Sequence, residues 1–369
     1  MKKIFIVTSN RADYGLMSHL IYLLKKDKGI KFKLVVTGSH LEKKYGYTLN
    51  EIKKDKINVD YTLKIPLQSS NPNKNIKSIS SYMEKFSKFF TNHKPDLLIV
   101  LGDRYEIFSI AVSAFIHKIP IAHLYGGEST LGVFDDFFRY SISKSAYYHL
   151  VSNKVYAEKL VKLGENRKNI FTVGSLGCEN TKLIKFKNSK ELEKKFQFKF
   201  YKKNILVSFH PETLSSDNGL KGLSILLSCL NKLKNVGIIF TGTNPDIKNQ
   251  DILKKINSFV SRNKNSKFIY SMGKENYLSC LKYCNLLIGN SSSGIIEAPS
   301  LKTPSINLGN RQQGRIFAKS VNNIKFQKNL IIRAIDKILY YKKKKKVINP
   351  YYKKNTSKEI VKIIKKIKF

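Results

Sequence analysis

The chain has 369 residues, 42% of them hydrophobic and 11% aromatic, enough for two domains with cores of their own, so wholesale disorder is excluded. Its formal net charge of +42 would ordinarily point to nucleic acid, but the bases are almost all lysines strewn through the whole sequence. They form no basic stripe interleaved with aromatics, and a nucleic-acid partner is not expected.

Short apolar runs come first: 3–9 (KIFIVTS), 32–38 (FKLVVTG), 96–103 (DLLIVLGD), 119–127 (IPIAHLYGG), 148–153 (YHLVSN) and 170–175 (IFTVGS). They alternate with segments of helical period at 16–27, 78–92 and 105–117. The rhythm lapses over 180–203, a lysine-rich stretch read as linker plus helix. It resumes with strands at 204–210, 236–243, 267–272, 285–293 and 303–309, and a last helix near 355–368. Continuous apolar strands separated by helices mean parallel sheets covered on both faces. The expected fold class is α/β with two doubly wound domains, over 1–180 and 204–350, and a C-terminal helix in 351–369 packing back on the first.

Cys178, Cys229, Cys280 and Cys284 show neither CxxC spacing nor a histidine set, so reduced thiols and no metal site are expected. The apolar run behind the basic N-terminus, Ile4 to Val7, is too short for a signal-peptide core, and no run approaches the ~20 residues of a membrane span. A soluble cytoplasmic protein without a membrane partner is the expectation. The run KKKKK at 342–346 is read as a solvated edge.

Ligands of doubly wound sheets bind beyond the C-terminal ends of the strands. The unusual motifs sit there: SNRADYG, GDRYE and GGESTLGVFDD in the first half, FHPET, FTGTNPD and GNSSSGIIEAP in the second. Lysine is used sixty times and arginine eight, yet Arg11, Arg104, Arg139, Arg311 and Arg315 all fall in or beside these motifs. A guanidinium where lysine would serve for solubility suggests a need for its planar fork, toward phosphate or a carboxylate. Ser291, Ser292, Ser293 and Gly294 before a helix offer a phosphate cradle, with Arg311 and Arg315 pointing to a diphosphate. Glu297, one turn into that helix, could accept from a ribose diol. No GxGxxG follows the first strand and no GxxxxGK[ST] is present, which disfavours a dinucleotide cofactor and a P-loop; no cofactor is expected.

SNRADYG, VTGSHLEKKYG, PDLLIVLGDRYE, IPIAHLYGGE, the DDxxR after it, FTVGS, FHPET and SSSGIIEAP resemble, in order and spacing, the hydrolysing UDP-N-acetylglucosamine 2-epimerases of bacterial sialic and legionaminic acid synthesis. The resemblance runs from about residue 1 to 315. It implies the glycosyltransferase-B fold, two Rossmann-like domains with a central cleft, sugar-side acids in the first and nucleotide-binding groups in the second. The implied partner is a nucleotide-sugar substrate, and the implied assembly a homo-oligomer, dimer or tetramer. Residue by residue, Asp103, Glu128 and Asp135 fall where the family has its catalytic acids, His210 matches a ligand-contacting histidine, and Arg11 and Arg104 join the substrate contacts.

Inverting C2 of an N-acetylhexosamine requires a proton to leave one face and return on the other. That proton is barely acidic, so the accessible route is departure of the nucleoside diphosphate, loss of the C2 proton to give a glycal, then hydration. Carboxylates around the ring stabilise the developing cation and move the protons. Asp136 is expected to pair with Arg139, and His123 is equally a core or a site residue. Tyr125 and Tyr140, and LGCEN after FTVGS, depart from the family pattern. The alternatives are a glycosyltransferase on the same scaffold and a non-hydrolysing 2-epimerase.

Overall fold

The computed structural model describes residues 1–66, 71–243, 249–341 and 347–368; the lysine run at 342–346 and part of FTGTNPD lie outside them. The chain divides into two compact units, the first comprising Met1–Glu128, Asp135–Asn180 and Tyr351–Phe369, the second Ser129–Phe134 and Thr181–Pro350.

The first unit holds seven strands, β1 (Lys2–Thr8), β2 (Ile30–Thr37), β3 (Tyr61–Leu63), β4 (Leu97–Leu101), β5 (Ile121–Leu124), β6 (Tyr148–Val151) and β7 (Ile170–Thr172). They lie in the order β3-β2-β1-β4-β5-β6-β7, all parallel. Strand order reverses between β1 and β4, and at such a switch point the connections part and leave room for a ligand. Both faces are covered. Ile4, Ile6, Leu34 and Ile99 enter one core while their neighbours Phe5, Val7, Val35 and Val100 enter another. That is why the strands read as unbroken apolar runs.

The second unit repeats the scheme with β8 (Lys203–Ser208), β9 (Val236–Thr241), β10 (Ser266–Ile269), β11 (Leu286–Gly289), β12 (Ser305–Leu308) and β13 (Val321–Ile324), in the order β10-β9-β8-β11-β12-β13. Ile205 and Val207 face one core and Leu206 the other. The 180–203 stretch carries the helix Ser189–Phe196, whose Leu192 and Phe196 join the second unit's core.

The sequence reading omits β3 and β13. Both are short edge strands, and Asn322 and Asn323 in the middle of β13 are exposed, so they carry no apolar run to detect. Helix starts are earlier than the apolar period suggests, because caps set them: Asn10 opens Arg11–Lys26, and Asn71 with Pro72 opens Pro72–Asn92. The C-terminal helix Thr356–Lys366 buries Ile360, Ile363 and Ile364 in the same core as Leu20 and Leu24 of the first unit. Glu179, in the LGCEN departure, accepts from the Ser357 backbone N–H at 3.1 and 3.0 Å and so caps that helix.

Candidate active site

The strand ends of the first unit gather the acids. β4 runs out at Leu101, and Asp103 and Arg104 follow, Arg104 as the cap residue of the helix Tyr105–Ile116. β5 ends at Leu124, after which Tyr125 takes a left-handed φ of 68° and Gly127 one of 74°. A bulky residue at positive φ is costly and persists only where its surroundings hold it. The Tyr125 hydroxyl does so, at 3.0 Å from Ser175 Oγ and 3.3 Å from the Gly177 amide. At Gly127 a Cβ would collide with the Tyr156 carbonyl, so only glycine fits. These two residues turn the chain so that Glu128 is 1% exposed, with Ser152 Oγ donating to its Oε1 at 2.5 Å.

Arg139, 1% exposed in the helix Asp135–Ser145, ties the acids together. It donates to the Glu128 carbonyl at 2.9 Å and forms an ion pair with Asp103. Sequence reasoning named Asp136 as a partner of this guanidinium; the structure adds Asp103, which the chain separation of 36 positions concealed. Asp135 opens the same helix one turn before Arg139, on the same face, next to the developing positive end of the helix dipole. The intervening Ser129–Phe134 counts with the second unit, where Leu131 donates to the Gln313 carbonyl at 3.1 Å and the Phe134 amide to Thr213 Oγ1 at 3.0 Å. Glu128 and Asp135 thus flank this excursion.

His123, left between core and site by its sequence context, is fully buried and supports the turn. Its Nε2 lies 2.8 Å from the Gly102 carbonyl and so donates, which leaves Nδ1 to accept from Ser143 Oγ at 3.0 Å. Burial pushes its pKa down to about 3, so it is neutral and fixes the residue before Asp103. Arg104 is not free to wander either: its Nε donates to the buried Glu106 at 3.1 and 3.3 Å. That partner, inside an apolar helix, gave no signal in the sequence.

Beyond β1, Arg11 is the first residue of its helix and half-buried. The turn below it closes on Asp13, whose carboxylate accepts from the Ser9 and Asn10 amides, both at 2.9 Å.

In the second unit β8 leads to His210 and Glu212, and β11 to Asn290. Asn290, fully buried, accepts from the His210 amide at 2.7 Å and donates to its carbonyl at 2.8 Å, fastening the two strand ends. Gly289 lets this happen, since a Cβ there would meet the Ser208 carbonyl. The Asn290 carbonyl in turn accepts from Arg311 at 3.1 Å and Gln312 at 3.0 Å. Arg311, read from sequence as a phosphate ligand, is therefore also a brace of this turn, and Asn290 is the residue that sequence reasoning passed over.

Ser291 and Ser292 are half-exposed ahead of the helix Ser293–Ser300, which Ser292 opens without a side-chain cap. Ser293 accepts from the Tyr277 hydroxyl at 2.7 Å, and Ser305 Oγ donates to the Gly294 carbonyl at 2.6 Å. Glu297 turns its carboxylate back to this turn. Its Oε2 is buried without a hydrogen-bond partner among the described residues, and burial raises its pKa against the pull of Ser293 and Arg315. A buried, unpaired carboxylate oxygen is costly in an isolated protein and is satisfied once a donor arrives. His210 contacts Ser208 and Thr243 only loosely, at 3.5 and 3.4 Å. Among the described residues no group of three or more His, Cys, Asp or Glu is arranged to hold a metal, and no helix is long and apolar enough to cross a membrane.

Residues 23–365 match the family described as UDP-N-acetylglucosamine 2-epimerase. The chain belongs to the UDP-N-acetylglucosamine 2-epimerase family. It is 40% identical to polysialic acid biosynthesis protein P7 of Escherichia coli, over 99% of this chain and 94% of the relative. It is 39% identical to the hydrolysing GDP/UDP-N,N'-diacetylbacillosamine 2-epimerase of Campylobacter jejuni, over 91% and 87%. The solved UDP-GlcNAc 2-epimerase of Neisseria meningitidis, bound to UDP-GlcNAc, superimposes with a TM-score of 0.83 at 19% identity, covering 99% of this chain and 100% of that one. The UDP-GlcNAc 2-epimerase of Methanocaldococcus jannaschii gives 0.82 at 21%, over 98% and 99%. At those identities the structures speak for the glycosyltransferase-B-like fold. With its family and its relatives, this epimerase is an enzyme of the hydrolysing, nucleotide-sugar type.

Proposed function

We propose that this epimerase converts UDP-N-acetylglucosamine, or a 2,4-diacetamido-6-deoxy analogue on a UDP or GDP handle, and water to the free 2-epimer and the nucleoside diphosphate, for nonulosonic acid synthesis. The observation that carries the reading is the buried Arg139, which pairs with the half-buried Asp103 and holds the Glu128 main chain, with Asp135 a helical turn away. A carboxylate held on a buried arginine, with a second carboxyl residue fastened to it through its main chain and a third one helical turn away, suits a reaction that builds positive charge on a sugar ring and then moves a proton off and onto C2.

In this reading Asp103, Glu128 and Asp135 divide those tasks. Leaving-group departure comes first, the C2 proton passes to one carboxylate, and the resulting glycal takes water at C1 and a proton at C2 from another. Glu128, enclosed by Ser152 and Arg139, has its geometry fixed before substrate arrives, which is what proton transfer at a weakly acidic carbon requires. Arg11, with Ser291, Ser292, Ser293, Gly294, Arg311 and Arg315, holds the diphosphate, Glu297 Oε2 accepts from the ribose diol, and His210 contacts the ligand beside them. Arg104 acts through Glu106 on the turn that carries Asp103. By resemblance the enzyme works as a cytoplasmic homo-oligomer.

The sugars for which the relatives are named leave the N-acetyl and the diacetamido sugars as the two candidates. Incubation with each UDP- and GDP-sugar, assayed for nucleotide release with the product identified by NMR, tests the proposal. A free 2-epimer formed without any acceptor supports it. Transfer that needs an acceptor would favour a glycosyltransferase, and a 2-epimer still attached to nucleotide a non-hydrolysing epimerase.

A further inference from the structure

The turn beneath Arg11 contains a charge that the reaction as proposed does not use. Asp13 is 4% exposed, and five donors surround its carboxylate: the Ser9 and Asn10 amides at 2.9 Å, the Tyr14 amide at 3.0 Å, Ser9 Oγ at 3.1 Å and Thr8 Oγ1 at 3.2 Å. A helix needs only one of these: the capping box is complete once Asn10 accepts from Asp13 and Asp13 from Asn10. The others gather the whole 8–14 segment around a single anion, with Arg11 in its middle.

The polar chain continues away from the turn. Thr8 has one hydroxyl proton, with Asp13 at 3.2 Å and the Asn10 carbonyl at 3.4 Å to accept it, so His40 Nε2, 3.0 Å from Thr8 Oγ1, is the donor of that contact. His40 Nδ1 then accepts from Thr48 Oγ1 at 2.8 Å. His40 is fully buried and its pKa falls to about 3, so it is a neutral prop whose tautomer matches an ionised Asp13. Of the charged and titratable groups, neutral His40 faces the turn, the charge of Arg11 is felt at His40, and Tyr14 turns its hydroxyl to Asp55 at 2.7 Å, with Glu51 further along. Burial raises the Asp13 pKa to about 6, against the hydrogen bonds from Ser9, Asn10 and Thr8 that lower it.

We propose that Asp13 is a positioning residue for substrate binding: its ionised carboxylate, gathering the donors of the 8–14 turn, holds Arg11 where the nucleoside diphosphate is bound. The proposal rests on the reading of Arg11 as a diphosphate ligand. A protonated Asp13 is a poorer acceptor and carries a donor of its own into a turn already full of donors, so the turn opens and Arg11 loses its placement. Substrate affinity then falls as pH drops through about 6, in the range where the sugar diphosphate itself has no titrating oxygen.

The test is equilibrium binding of a non-hydrolysable UDP-sugar phosphonate from pH 5 to 8, since free UDP has a terminal phosphate that titrates in the same range. The wild-type protein should lose about tenfold in affinity between pH 7 and pH 5, with one proton linked to binding. Asp13→Asn should bind at least tenfold more weakly at pH 7 and show no dependence on pH. Thr8→Val removes a donor that lowers the Asp13 pKa, so it should move the midpoint upward, an effect that general loosening of the fold would not produce. Affinity of the wild type that is flat from pH 5 to 8, or pH dependence that persists in Asp13→Asn, overturns the inference even if a variant folds poorly. Arg11→Ala in the same assay separates the two levels: unchanged binding there would overturn the reading of Arg11 itself, whereas weakened binding with a flat wild-type profile would overturn only the role of Asp13.

Discussion

At the ends of β4 and β5 the acids are pinned before any ligand arrives: Asp103 by Arg139, Glu128 by Ser152 and Arg139, and the residue before Asp103 by His123. At the end of β11 the backbone is just as firmly fastened, by Asn290, but the groups proposed to meet the ligand are left open, with Ser292 uncapped and Glu297 Oε2 unpaired among the described residues. The contrast fits the role proposed for each turn. Groups that move protons work through fixed geometry and preorganised charge. Groups that hold an anion or a diol gain most when the ligand supplies the missing partner.

The largest effects should therefore come from the first turn, and on turnover rather than affinity. Asp103→Asn, Glu128→Gln and Asp135→Asn keep shape and remove the ionisable group, so turnover should fall about 10²-fold or more while UDP affinity, measured by calorimetry, changes little. At least one of the three should still cleave the nucleotide yet release the glycal or hydrate supplied glycal poorly. Near-normal turnover in all three would make the assembly purely structural.

The second turn should answer in affinity. Ser292→Ala is expected to weaken UDP binding by about 1.5 to 3 kcal/mol, the scale of a hydrogen bond to a charged group, with the melting temperature unchanged. Arg311→Ala should weaken binding and also lower the melting temperature, because the buried Asn290 carbonyl loses a donor. Equal melting temperatures for the two variants would break the distinction between brace and ligand.

A smaller effect concerns acid stability. His40 and His123 have folded-state pKa values near 3, below their ordinary 6.5, so between pH 6.5 and 3 the unfolded chain binds more protons and these groups' stabilisation is lost as pH falls. Asp13, raised from 3.8 to about 6, works the other way over its narrower window. Two protons taken up against one released leave a net loss of stability on acidification, and Asp13→Asn should steepen it in denaturant titrations. Least of all should change on adding EDTA: turnover is expected to be unaltered, and loss restored by a divalent ion would contradict the scheme.

Much of this was legible in the amino-acid order because buried parallel strands read as apolar runs and the motif residues gather at their ends. Eleven strands announced themselves, whereas β3 and β13, short and at sheet edges, did not. The acids were recognisable as types in a glycine-rich loop, but their partners were not. Arg139 meets Asp103 across two strands, Glu106 is a lone acid in an apolar helix, and Asn290 matters through hydrogen bonds to a residue 80 positions away. Tyr125 in a left-handed conformation is likewise a tertiary fact, since Ser175 and Gly177, some 50 residues on, hold its hydroxyl.

The central claim, that the carboxyl groups of Asp103, Glu128 and Asp135 take a proton from C2 and return one on the other face, is tested most directly by running the reaction in deuterium oxide and reading the product by NMR. The returning proton comes from water or from a group that exchanges with it, so the free 2-epimer should carry one deuterium at C2. A 2-epimer that keeps its original C2 hydrogen would contradict the account.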